Sequence, residues 1–131
     1  MAVYTKLSLD QLKDLFAKYN LGQLLDYKEI KEGIENTNYF AEMEKGKFIL
    51  TLYERRMDEK DLPFFMSLMK NLFDKKFPTP EPIINKNGNY ISEIAKKKAA
   101  VVSFLDGNAK KILSPENCYE VGINTAKLHM I

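Results

Sequence analysis

Between Tyr27 and Tyr53 the apolar positions fall at alternate residues, most regularly in Lys47–Tyr53, where Phe48, Leu50 and Leu52 alternate with Ile49, Thr51 and Tyr53. A period of two is that of a pleated strand whose faces meet different neighbours. The stretch reads as strand, glycine loop, strand, tight turn, strand, and Glu44-Lys45-Gly46 supplies the glycine that a hairpin turn favours. Upstream the spacing lengthens to three and four. Ser8-Leu-Asp-Gln11 forms a capping box ahead of Leu9, Leu12, Leu15, Phe16 and Tyr19 on one helical face, with Gly22 placed to close that helix in the left-handed conformation. Downstream, Leu62, Phe65, Met66, Met69, Leu72 and Phe73 predict a second helix with a core-facing stripe. Pro63 is tolerated in its first turn, Asp58, Glu59 and Asp61 lie at its positive end, and Lys75 and Lys76 lie at its negative end.

Pro78, Pro80 and Pro82 enforce an extended connection. Ile83-Ile84 and Tyr90–Ile94 then read as a second hairpin around Asn85–Gly88. Ala99–Leu105 is a nearly continuous apolar run, as expected of a central strand buried on both faces, and Asp106-Gly107-Asn108 ends it. Ser114-Pro115 marks the start of a last helix carrying Cys118, Val121, Ala126 and Leu128. The order predicts an α+β plan, a mainly antiparallel sheet of five or six strands with flanking helices.

Composition narrows the chemistry. At 131 residues, 45% hydrophobic and 29% charged, the chain is of single-domain length and rich enough in apolar residues to fold. A net charge of +2 spread along the chain argues against a nucleic-acid partner, which calls for a concentrated basic face. The clusters Arg55-Arg56, Lys75-Lys76, Lys96-Lys97-Lys98 and Lys110-Lys111 read as solvated turns or helix ends. A single cysteine, Cys118, excludes an internal disulfide and a cysteine zinc site, and a single histidine, His129, gives little basis for a nucleophile–histidine pair. Lys6 and Asp10 interrupt any leader-like apolar run, and no segment has bilayer-spanning length, so a cytoplasmic setting without membrane contact is expected. The loop Gly33–Asn38, with Asn36 and Asn38, offers small residues whose backbone N–H groups could approach a phosphate. The same glycine also suits an ordinary turn between strands.

Several segments, in this order, resemble the N-terminal lobe of the aminoglycoside phosphotransferase-like kinases, and among them the homoserine kinases. They are Leu7–Leu21, Glu32–Phe40, Phe48–Glu54, Asp61–Phe65, Val102–Gly107 and Val121–His129. The resemblance implies a kinase-like lobe with its hinge strand over 1–106, and a linker and terminal helix over 107–131 leading toward a second lobe. It implies that Gly33, Asn36 and Asn38 belong to a loop over the phosphates of ATP, and that the backbone around Ser103, Phe104 and Leu105 meets the adenine edge. It implies MgATP as phosphoryl donor and the hydroxyl of L-homoserine as acceptor, a step toward threonine. The helix Asp61–Lys75 would pack behind the sheet. Two departures stand out. Thr51 occupies the position where such kinases carry a phosphate-binding lysine, which leaves Lys47 and Arg55, of the same strand parity, as candidate substitutes. The catalytic loop H-x-D-x-x-x-x-N and the metal-binding aspartate are absent, since His129 is followed only by Met130 and Ile131. The expectation is a fragment inactive alone, either a remnant or one half of a split enzyme whose second lobe is a separate chain. The alternative is a stand-alone nucleotide- or protein-binding module.

Overall fold

The computed structural model describes residues 5–32, 35–54 and 58–131. Gly33 and the Arg55-Arg56 pair therefore lie outside the described residues. Helix α1, Leu9–Phe16, begins at the predicted capping box: the Ser8 hydroxyl accepts from the Gln11 N–H at 3.1 Å, and the Gln11 side chain accepts from the Ser8 N–H at 2.9 Å. Gly22 has the expected left-handed backbone, φ +80°, but Ala17 is the residue that caps the helix. Gly22 serves a later turn, pressed so close to Glu44 that a Cβ would lie 2.7 Å from the Glu44 Cβ. The Lys45 N–H bonds to the Leu21 carbonyl and the Glu44 N–H to the Gln23 carbonyl, both at 3.1 Å, fixing α1 to the sheet.

The sheet has five strands, β1 (Leu24–Ile30), β2 (Thr37–Met43), β3 (Gly46–Leu52), β4 (Ile91–Ile94) and β5 (Lys97–Ser103), in the order β1-β2-β3-β5-β4 with every pairing antiparallel. The alternation in β3 is realised: Phe48, Leu50 and Leu52 are buried, whereas Ile49 and Thr51 are half-buried on the other face. On the first face Tyr39, Ala41, Met43, Leu50, Leu52, Ala99 and Val101 join Leu12, Leu15, Phe16 and Tyr19 in one core. β1 is an outer strand with a register shift between Leu24 and Asp26, which leaves Leu25 mostly exposed.

The second hairpin differs from expectation. Residues 82–84 do not pair with β4. They run along β5, with a bridge from Pro82 to Val102 and a bond from the Ile83 N–H to the Val101 carbonyl at 2.9 Å. β4 instead pairs with β5 through the two-residue turn Ala95-Lys96, both at positive φ (51° and 61°). The predicted turn at Asn85–Gly88 does form, closed by the Gly88 N–H on the Asn85 carbonyl at 2.9 Å. β5 is an interior strand, between β3 and β4, with Ala99, Ala100 and Val101 buried on both faces, but it starts at Lys97 and stops at Ser103, and Phe104 and Leu105 lie past its end, exposed.

Helix α2, Leu62–Asp74, follows a short 3-10 turn over Glu59–Asp61. Of its predicted stripe only Leu62 and Met66 are buried; Met69, Leu72 and Phe73 are half-buried and Phe65 stays 41% exposed. Helix α3, Pro115–Met130, is capped as expected by Ser114 but has no buried residue, with Val121 63% and Leu128 41% exposed. No helix among the described residues is long and apolar enough to cross a membrane.

Candidate functional site

The face of the sheet opposite α1 carries Asn38 and Phe40 from β2, Ile49 and Thr51 from β3, and Lys98, Ala100 and Val102 from β5, since residues two apart share a face. Register fixes which of these are neighbours. Asn38 lies opposite Thr51, and the Thr51 hydroxyl donates to the Asn38 side-chain oxygen at 2.7 Å. That bond uses the amide oxygen and points the Asn38 amide N–H₂ elsewhere, toward any acceptor on this face. This end of the sheet adjoins the β1–β2 connection, where Asn36 is half-buried in the bend before β2.

The other end is apolar. Phe40 and Phe104 meet edge to face, with ring centroids 5.3 Å apart and planes at 79°. Ile49 pairs with Phe40 on one side and Val102 on the other, so the three form one half-buried rung beside Phe104. The Phe104 N–H is committed to the Lys47 carbonyl at 3.0 Å and the Ser103 N–H to the Glu81 carbonyl at 2.9 Å. The Ser103 hydroxyl accepts from the Glu81 N–H at 2.8 Å. Leu105, half exposed, is the next residue able to offer a backbone donor to a ligand.

Of the expected site residues, the fold brings Asn38 and Thr51 together and puts Phe104 at the far end of the same face, with Leu105 following it past the end of β5. Lys47 also lies at the far end, against Phe104, four residues along the strand from Thr51, or about 13 Å. The cation level with Thr51's end is Lys98, whose backbone carbonyl accepts from the Tyr53 N–H at 2.9 Å and whose ammonium is ion-paired with Glu93.

Sequence reasoning passed over the lysine run at 96–98 as a solvated cluster. Only Lys96 belongs to the turn. Lys97 and Lys98 open β5 and leave it on opposite faces, each in an ion pair. The alternation 97–99–101 against 98–100–102 was the available signal. Lys97 reaches Glu54, whose side chain is only 7% exposed. The Glu54 carboxylate also accepts from the Thr37 hydroxyl at 2.6 Å and the Thr5 hydroxyl at 2.8 Å, and Lys97 donates to the Thr5 oxygen at 2.6 Å. Burial pushes the Glu54 carboxyl upward, but the hydrogen bonds from Lys97, Thr37 and Thr5 together outweigh it and hold the carboxyl below its ordinary range.

The model of the phosphotransferase enzyme family matches residues 26–131. A homoserine kinase of Bartonella tribocorum is 45% identical over 130 residues, covering 99% of this chain and 41% of that protein. Homoserine kinases of Rhodopseudomonas palustris strain TIE-1 and Parvibaculum lavamentivorans are 44% and 42% identical, each over 99% of this chain and 40% of their own length. The chain thus spans about two fifths of the relatives it matches. A spectinomycin phosphotransferase solved with ADP and spectinomycin shares the fold, with a TM-score of 0.60 at 17% identity over 77% of this chain and 30% of that one.

Proposed function

The chain belongs to the phosphotransferase enzyme family, and from that premise we propose that it is the N-terminal, ATP-binding lobe of a homoserine kinase. The observation that carries this reading is 45% identity to a homoserine kinase over 99% of the chain. In the proposed complex the adenine lies on the Phe40–Ile49–Val102 rung, with its edge toward Leu105, because the N–H groups of Ser103 and Phe104 are already bonded inside the sheet. Gly33 and Asn36 belong to the loop over the phosphates, and Asn38 and Thr51 face them from the sheet. Thr51 orients the Asn38 amide so that its N–H₂ can meet a phosphate oxygen.

In the reaction the homoserine hydroxyl oxygen forms a bond to the γ-phosphorus as the bond to the β-γ bridging oxygen breaks, ADP leaves, and the hydroxyl proton passes to a base. No histidine-aspartate loop able to act as that base occurs in these 131 residues. Magnesium bound to the nucleotide would neutralise phosphate charge. In this reading its protein ligands come from the part of the relatives' length that this chain does not span. The lobe supplies one wall of the site and the positioning of the donor.

Two measurements test the reading. Excess MgATP should raise the unfolding midpoint, by about 2.7 kcal/mol of added stability at a hundredfold excess over Kd. The chain joined to the remaining three fifths of a relative should phosphorylate L-homoserine, whereas the chain alone should not. A fusion that folds, binds MgATP and ignores homoserine would overturn the acceptor assignment. The uncovered side chains of α3 favour a second reading, a stand-alone nucleotide- or protein-binding module. A fusion inactive under all conditions, beside an isolated chain that binds MgATP tightly as a monomer, would point there.

A further inference from the structure

Four distant stretches meet at one carboxylate on the α1 side of the sheet: Thr5 before α1, Thr37 at the first residue of β2, Glu54 just past β3, and Lys97 at the first residue of β5. We propose that Glu54, held by Lys97, is a positioning residue that fixes Thr37 and so sets the start of β2, with Asn36 before it and Asn38 on the nucleotide face. The proposal rests on the nucleotide reading given above.

The geometry supports it in three ways. Thr37 is fully buried, so its hydroxyl cannot exchange Glu54 for water, and the Thr5 N–H bonds to the same oxygen at 3.3 Å. The arrangement needs a carboxylate in particular. Three donors converge on Glu54, two hydroxyls and an ammonium, and a glutamine would turn an N–H₂ group toward one of them. Thr37 is also adjacent in the chain to Asn38, whose amide Thr51 orients on the opposite face. A shift of Thr37 therefore moves Asn38 and the bend at Asn36 directly, while the β3–β5 ladder below Leu52 is held independently by its own register. A charge cluster is a poor way to add bulk stability, since apolar packing of equal volume does as well, and fixing the start of β2 is the role the proposal gives this one.

The test is amide hydrogen exchange with MgADP titration on the purified chain, comparing wild type with Glu54→Gln, Lys97→Met and Lys97→Arg. Thr37→Val, a near-isosteric loss of one hydroxyl, replaces Glu54→Gln if that variant fails to fold. Expected for Glu54→Gln and Lys97→Met is exchange at Asn36, Thr37 and Asn38 faster by about tenfold, the loss of a hydrogen bond to a charged group. The amides of Leu50 and Val101 should be unchanged, MgADP affinity should fall about tenfold, and Lys97→Arg should restore both readouts. Unchanged exchange at residues 36–38, or acceleration spread evenly over β3 and β5, overturns the proposal. So does loosened exchange with unaltered MgADP affinity. If the wild-type chain shows no MgADP response at all, the nucleotide reading for the isolated lobe fails, and the exchange pattern alone then decides whether Glu54 holds the start of β2.

Discussion

Glu54 takes hydrogen bonds from two hydroxyls and an ammonium, and these hold its carboxyl below the ordinary range against the upward push of burial. The direction fixes the pH dependence. A carboxyl whose folded pKa is depressed contributes stability at pH values above its unfolded pKa, and that contribution is lost as pH falls through the ordinary carboxylate range toward the folded value. The wild-type chain should lose stability over that acid window, and Glu54→Gln should show a lower midpoint at neutral pH with a flatter acid limb, so that the two curves converge in acid. Denaturant titrations at a series of pH values measure this, and parallel curves would remove Glu54 from the account. At this scale the sequence was partly legible. Asn38 and Thr51 share a face because strand parity puts them there, and their pairing follows from the short turn at Glu44-Lys45. Glu54 and Lys97 were not legible, because nothing local connects residues so far apart in the chain.

The elements that announced themselves were those with local signals. The Ser8–Gln11 box started α1 and the Phe48–Leu50–Leu52 alternation set β3, both where expected. The β4–β5 hairpin was hidden for a physical reason. Two-residue turns of this hand require positive φ at both central positions, which asparagine and glycine tolerate and which Ala95 and Lys96 adopt at a cost. A chain read by turn propensity therefore places the hairpin at Asn85–Gly88, where the polar cluster lies. The cost gives a prediction: Ala95→Asn with Lys96→Gly should stabilise the chain by about 1–2 kcal/mol, seen as a higher urea midpoint with unchanged slope. An unchanged or lower midpoint would mean that tertiary contacts, rather than the sheet register, impose these angles. Helix α2 shows the reverse error. Its apolar stripe is real, but Phe65 remains 41% exposed, because periodicity reports a face and not whether a neighbour covers it.

Over the whole molecule the burial is uneven. The core lies between α1 and the first face of the sheet, and no residue of α3 joins it. We infer a division near residue 106, with residues 107–131 serving as a connection rather than as part of the folding unit. Truncation after Asp106 should then change unfolding free energy by less than about 0.5 kcal/mol, the range of substitutions that touch no packed feature. It should also reduce apolar-dye binding and self-association, as read by fluorescence and sedimentation, with the remainder carried by exposed side chains such as Phe64 and Leu105. A large loss of stability on truncation would contradict the division. The last helix was legible as a helix from Ser114-Pro115, but its solitude was not, because a sequence records an apolar face without recording what meets it.

The shifted register of β1 has a consequence for how such a lobe behaves at high concentration. An outer strand with a straight, regular edge is a template onto which another chain can add a strand, and then another, in open-ended growth. Here the rim is kinked between Leu24 and Asp26, and the exposed Asp26 and Lys28 put charge along it. That edge resists polymerisation by strand addition, so any strand-by-strand growth of these chains under crowding should start from the other edge, the four-residue β4, and not from β1.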